Sequence, residues 1–219
     1  MTEPAAGVVA AGVAVAILAG GRGTRMTGEG GGGGGGRVVT KGLLVVGGQR
    51  IIDRQLAVLR PRFTEVVIAA NDPAPWASLG VRVVADRVRA PLGPIAGLDA
   101  VLAALPDGID AVVCVAGDMP FLSPALLEHL RDGARGAPAL VPRVAGRAEP
   151  LLARYTRAIA PVVAEQIAGG RYAMIDLLAR LEVKWLDEPE LRVLDPELRS
   201  IVNVNTSEDL ARLAPDGRP

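Results

Sequence analysis

The sequence predicts an α/β fold, a three-layer sandwich with a mostly parallel central sheet. Three observations carry this. Apolar runs of strand length alternate with segments of helical period, the pattern of βαβ units joined by right-handed crossovers. The first run, Val13-Ala-Val-Ala-Ile-Leu18, is apolar at every position, as in a central parallel strand covered on both faces. Half of the 219 residues are hydrophobic and 22% are charged, which supplies a buried core and excludes a disordered chain.

The elements follow in order. Strands are expected at Val13–Leu18, Glu65–Ala69, Val81–Ala85, Ala111–Ala116 and Ala139–Val144. Ile52, Leu56 and Leu59 fall on one helical face between the first two, and Leu98, Leu102 and Leu105 repeat that spacing. Ser123-Pro124 is a helix start, with serine as cap and proline in the first turn, and Leu126, Leu127 and Leu130 then face inward. The second half is less regular. Glu149–Tyr155 and Val183–Leu186 read as strands, and Ala158–Ile167 and Met174–Leu181 as helices. The acidic stretch Leu186–Glu190 reads as a solvated loop. Thr206-Ser-Glu-Asp209 is a capping box ahead of Leu210 and Leu213. No repeat or linker divides the chain. The organisation expected is a tail over 1–11, one domain over 12–214 and a tail over 215–219, with a flexible glycine-rich loop at 28–36.

Composition narrows the partners. Lys plus Arg and Asp plus Glu number 24 each, so the basic excess of a nucleic-acid binder is missing. Aromatic residues are only 3%, too few for a base-stacking platform. Ala5–Gly21 carries no charge, yet it lacks the basic flank of a signal peptide and is too short and too rich in Ala and Gly for a membrane span. The single cysteine, Cys114, can form no intrachain disulfide and sits in an apolar strand as a small core residue. A cytoplasmic protein without nucleic-acid or membrane partners is expected. The one histidine, His129, lies within a helix and has no partners for a Ser/His/Asp arrangement.

The chemistry gathers at a glycine-rich turn after the first strand, Leu18-Ala19-Gly20-Gly21-Arg22-Gly23-Thr24-Arg25-Met26. Backbone N–H groups in such a turn can cradle phosphates. A dinucleotide fingerprint would need a third glycine where Met26 stands, and a P-loop would need Gly-Lys-Ser/Thr. A nucleotidyltransferase loop, Leu-Ala-Gly-Gly-x-x-x-Arg-Met followed by a lysine, finds every residue, with Lys41 as the lysine. A plain glycine turn with solvated arginines is the bland alternative. Asp118 follows the Ala111–Ala116 strand at its C-terminal end, where open α/β sheets bind ligands. An aspartate there can hold Mg²⁺ or serve as a turn or helix cap. Asn203 and Asn205 sit two apart and share one side of an extended segment, or else cap the helix at Thr206.

Six stretches then stand in a familiar order: Leu18–Met26, Lys41-Gly-Leu-Leu44, Gly93-Pro-Ile-Ala-Gly97, Ala116-Gly-Asp-Met-Pro120, Glu149-Pro-Leu-Leu152 and Val202-Asn-Val-Asn-Thr206. In these the sequence resembles the molybdenum cofactor guanylyltransferases, within the wider nucleotidyltransferases of sugar-phosphate type, collinearly from about Val13 to Leu213. The resemblance implies a Rossmann-like fold of the nucleotide-diphospho-sugar transferase type. It implies transfer of GMP from GTP to molybdopterin with release of pyrophosphate, and Mg²⁺ as cofactor. It implies catalytic roles for Arg25, Lys41 and Asp118, and a nucleotide pocket of Leu18, Ala19, Gly20, Gly21, Lys41, Asn71, Asp86, Gly97 and Asp118. Asn203 and Asn205 fall on the acceptor side, with Asp118 and Asn205 near the metal. Glu149 lies in a stretch resembling the acceptor side and carries little weight. Transient contacts with cofactor-biosynthesis or acceptor proteins are implied as well. A sister enzyme using CTP or another phosphorylated acceptor, or a nucleotide-binding protein without turnover, are the alternatives. One departure stands out: Lys41 is sixteen residues past Arg25, and Thr40 rather than an acidic residue precedes it. Seven glycines, Gly30 to Gly36, make most of the difference. A longer loop costs stability only about 0.6 kcal/mol per doubling.

Overall fold

The computed structural model describes residues 12–19, 40–88, 90–204 and 209. The readings placed on Gly20, Gly21, Arg22, Arg25, the glycine run, Asn205, the Thr206 capping box and both tails lie outside the described residues.

The chain enters the sheet as β1 (Gly12–Leu18), with Ala14 to Ile17 fully buried. A two-residue hairpin, β2 (Val45–Val46) and β3 (Gln49–Arg50), turns through Gly47-Gly48 and leads into α1 (Ile51–Leu59). Then come β4 (Val66–Ala69), β5 (Arg82–Val84), α2 (Pro94–Ala104), β6 (Ile109–Ala116) and α3 (Pro124–Asp132). Ser123 caps α3 as its sequence suggests: its hydroxyl accepts from the Leu126 N–H at 3.3 Å. The second half contributes β7 (Ala139–Val144), β8 (Arg147–Ala148), β9 (Leu152–Thr156), α4 (Ala160–Ala168), α5 (Met174–Leu178), β10 (Val183–Asp187) and α6 (Glu188–Leu194).

Strand order is β10-β7-β9-β6-β1-β4-β5. The pairs β6–β1, β1–β4, β4–β5 and β10–β7 are parallel; β9 runs antiparallel between β6 and β7. Alternate residues of each strand feed two cores. Ala14, Ala16, Val112 and Cys114 pack with α2, α4 and α5, while Val15, Ile17, Val113 and Val115 pack with α1, α3 and α6. The result is three layers, with the sheet buried on both faces.

Three readings of the second half need correction. The strand expected from Glu149 begins at Leu152, because Glu149–Leu152 is a turn: the Leu152 N–H donates to the Glu149 carbonyl at 3.0 Å. Helix α5 ends at Leu178 and runs out in i→i+3 turns through Leu181. Leu186–Glu190 is no loop. Leu186 is buried at the end of β10, and Glu188-Pro189 opens α6 with proline in the first turn, where its missing N–H costs nothing. Among the described residues no helix is long and apolar enough to cross a membrane.

Burial in β6 pushes the Cys114 thiol up to about 12. A neutral, enclosed thiol does not react. A thiol-specific reagent at pH 8 is therefore expected to leave the folded chain unlabelled and to label one thiol per chain in denaturant; equal labelling in both states would contradict this burial. The sign of the pH effect follows. Above about 8.5 the unfolded thiol ionises and the folded one does not, so stability falls as pH rises toward 12.

Candidate active site

The parallel strands β1, β4, β5 and β6 all end on one edge of the sheet, and β9, being antiparallel, begins there: Val115 of β6 pairs with Leu152. Strand ends meet across this edge. The Ala19 N–H donates to the Ala69 carbonyl at 3.0 Å, the Gly117 N–H to the Leu18 carbonyl at 3.1 Å and the Ala70 N–H to the Val84 carbonyl at 2.9 Å. A cavity of about 190 Å³ opens here, and Leu18, Ala19, Lys41, Asp86, Gly97 and Asp118 all stand on its wall. These six come from stretches spread over a hundred residues of sequence, and the sheet edge collects them.

Two glycines shape one wall. Gly93, the cap of α2, has φ 77° and ψ −162°, a backbone region open to glycine almost alone. It turns the chain so that Pro94 and the N-terminal turn of α2 open on the cavity, with the positive end of the helix dipole. Gly97, one turn along, packs against strand ends: a Cβ there would lie 3.3 Å from the Ala69 Cβ and 3.4 Å from Leu18 Cδ2.

One ion pair stands on the wall, in addition to the Asp86 carboxylate. Lys41 Nζ donates to Asp118 Oδ2 at 3.0 Å, and both side chains are partly exposed to the cavity. Lys41 opens a single 3₁₀ turn, Lys41–Leu43, whose Gly42 packs closely on the Trp76 ring. Asp118 sits in the turn after β6. Buried Gln55 of α1 clamps that turn, its Nε2 donating to the Ala116 carbonyl at 2.8 Å and the Met119 carbonyl at 2.9 Å. Gln55 was not singled out from the sequence, although the signal was there. It falls between Ile52 and Leu56 on the apolar face, and a polar side chain at a core position of an amphipathic helix needs buried partners.

Asn71 does not reach the wall. It positions Asp86, donating from Nδ2 to the Asp86 carboxylate at 2.7 Å and accepting the Asp86 N–H at 2.9 Å. The next residue, Arg87, reaches back to buried Asp99 on α2 at 3.3 Å, which ties this segment to the helix. Asn203 is exposed and also off the cavity wall, but its segment lies beside the Asp118 turn: the Val204 N–H donates to the Asp118 carbonyl at 2.9 Å. Glu149 does not line the cavity either, and partial burial pushes its carboxyl above the usual range.

Asp118 suits a hard cation. It offers carboxylate oxygens at the cavity, and Lys41 donates to one of them. No group of three His, Cys, Asp or Glu side chains that could enclose a metal stands together among the described residues. Mg²⁺ does not need one, since it is commonly held by one or two carboxylates, substrate phosphates and water.

The cavity at the sheet edge, with Lys41 and Asp118 paired on its wall, has the chemistry a nucleotidyltransferase needs, and the comparisons show that class of protein. Residues 15–183 match the MobA-like NTP transferase domain, and the chain belongs to that family. A probable molybdenum cofactor guanylyltransferase from Pelotomaculum thermopropionicum is 33% identical over 196 residues, covering 90% of this chain and 89% of its own. One of the same name from Thermococcus gammatolerans is 34% identical over 204 residues, covering 90% and 97%. The crystal structure of molybdopterin-guanine dinucleotide biosynthesis protein A from Archaeoglobus fulgidus superimposes with a TM-score of 0.73 at 31% identity, covering 91% and 96%. Enzymes of this class typically use a divalent metal.

Proposed function

We propose that the chain transfers GMP from GTP to molybdopterin and releases pyrophosphate, forming the molybdopterin guanine dinucleotide. The observation that carries this reading is the Lys41–Asp118 pair inside a glycine-walled cavity at the C-terminal sheet edge. The names of the relatives supply the base and the acceptor.

Both reactants are anions, so the site must neutralise charge and align the attacking oxygen with the α-phosphorus. Leu18, Ala19, Gly20 and Gly21 present backbone to the triphosphate. Lys41 and Arg25 balance its charge, lysine as a point and arginine as a fork. The N-terminal turn of α2 adds a positive dipole end, and Gly97 leaves the wall low enough for the nucleoside. Asp86, held by Asn71, faces the base or its sugar. Asn203 and Asn205 stand on the acceptor side. Asp118, joined by Asn205, would hold Mg²⁺, which would supply charge neutralisation for the triphosphate. Lys41 donates to one Asp118 carboxylate oxygen and would also reach the triphosphate. The catalytic domain spans 12–214 and works in the cytoplasm, where a chain with one buried free cysteine needs no oxidising compartment.

The test is pyrophosphate release with Mg²⁺, comparing GTP, CTP, ATP and UTP with and without molybdopterin. Release that needs GTP and molybdopterin together is the expected result; release with CTP alone among the four would move the chain to a sister specificity. The wall makes a second prediction. Gly97→Val places branched carbons against Ala69 and Leu18 at a position already near contact. GTP affinity is expected to fall about tenfold or more, since overpacking displaces the wall by an amount worth about 1–3 kcal/mol. Unchanged affinity by calorimetry would place the nucleotide elsewhere.

A further inference from the structure

The opposite edge of the sheet holds a second basin, of about 950 Å³, between the end of α3, the start of β6 and the end of β9. Five arginines line it, against two aspartates. Three of the arginines are committed. Arg62 pairs with Glu128 at 3.1 Å, Arg131 with Asp132 at 2.6 Å, and Arg157 donates to the Ile109 carbonyl at 2.7 Å. Arg154 and Arg135 are not. Arg154 lies on β9 two residues beyond Leu152, on the strand face that packs toward α3. It is only 6% exposed, and its Nε has no acceptor among the described residues. Its one hydrogen bond, to the Ala134 carbonyl, is 3.5 Å long, the outer limit of such a contact. Arg135 is exposed and forms no ion pair among the described residues; the neighbouring Asp132 already holds Arg131. The other aspartate, Asp110, is exposed and also unpaired among the described residues.

A buried guanidinium without an anion is costly, and burial together with the Arg135 charge pushes the Arg154 pKa down. Most arginines buried in a fold end on carbonyls or carboxylates, as partly buried Arg157 does here. We propose that this basin is an anion site, remote from the nucleotide cavity, in which Arg154 and Arg135 together bind a phosphate dianion. Two guanidiniums that no carboxylate holds among the described residues match two charges and present the paired N–H groups that phosphate oxygens accept. A monocarboxylate would leave one charge over, and the exposed basin admits either free phosphate or the phosphate group of a larger molecule.

The experiment is calorimetric titration of the full chain, in phosphate-free buffer without divalent metal, with inorganic phosphate and separately with glycerol phosphate. The Lys41→Ala variant, which weakens anion binding at the nucleotide cavity, is expected to retain one phosphate site. Arg135→Ala, an exposed change that leaves folding intact, is expected to weaken that site about tenfold, the worth of a charge-assisted hydrogen bond. Arg154→Met should remove it, and circular dichroism checks that this variant is folded. Tighter binding of one titrant names the source of the phosphate, and either supports the site. Binding abolished by Lys41→Ala and indifferent to Arg135→Ala would overturn the proposal, as would no binding at all.

Discussion

Asp118→Asn is expected to reduce pyrophosphate release by about 10²–10³-fold, the usual loss when one preorganised electrostatic contact to the reacting phosphate is removed. The fold should scarcely notice. The backbone carbonyl of Asp118, not its carboxylate, receives the Val204 N–H, and the lost ion pair to Lys41 joins side chains that are 17% and 30% exposed. A pair so placed contributes about 1 kcal/mol or less. Lys41→Ala should lose activity on the same scale, and the double variant should lose less than the product of the two, because the residues act on one phosphate group. Melting temperature and rate, measured together, separate this outcome from simple unfolding. An Asp118→Asn enzyme with near-normal turnover would remove this carboxylate from the mechanism.

Gln55→Leu should show the opposite pattern, with stability and turnover falling together. The Gln55 amide closes two backbone carbonyls in the dry space under the Asp118 turn. The Ala116 carbonyl keeps a weak partner in the Met119 N–H at 3.3 Å, whereas leucine offers the Met119 carbonyl nothing. Leaving a buried acceptor unpaired costs about 1–3 kcal/mol, but leucine also removes the Gln55 Oε1, itself buried without a partner among the described residues, so a net loss of about 1 kcal/mol is expected. For a chain of this size that is a fall of about 2–4 °C in melting temperature. The turn that presents Asp118 also loses its clamp, and a small displacement at a site that must align two phosphates lowers the rate. Unaltered thermal stability would mean that these carbonyls find other partners. The contrast between the two variants distinguishes a group that acts on the substrate from one that holds it in place.

Much of the site was legible before any coordinates. Lys41, Gly97 and Asp118 each sit in short, ordered motifs, and the alternation of apolar runs placed Leu18 and Asp118 at strand ends, where parallel topology sends them to one edge. Gln55, Gly93 and the Arg87–Asp99 tie were not legible in the same way. Each acts through a partner more than ten residues away or through a backbone angle, and one-dimensional spacing contains neither. The misread acidic stretch Leu186–Glu190 shows the same limit from the other side. Its composition suggests solvent, but a strand end and a helix start together need only one buried apolar residue, Leu186, and one well-placed proline, Pro189.

The sequence by itself determined the class of fold, because periodicity and apolar runs record which faces are buried and burial dominates folding energetics. It also determined the chemistry available, since a lysine, an aspartate and a glycine-rich turn are fixed by identity. Only the tertiary structure decided that Lys41 meets Asp118 at 3.0 Å, that β9 enters antiparallel and brings Leu151 to the cavity, and that the Nε of buried Arg154 finds no acceptor among the described residues. Such facts depend on which distant segments pack together, and packing is a property of the whole chain rather than of any stretch of it.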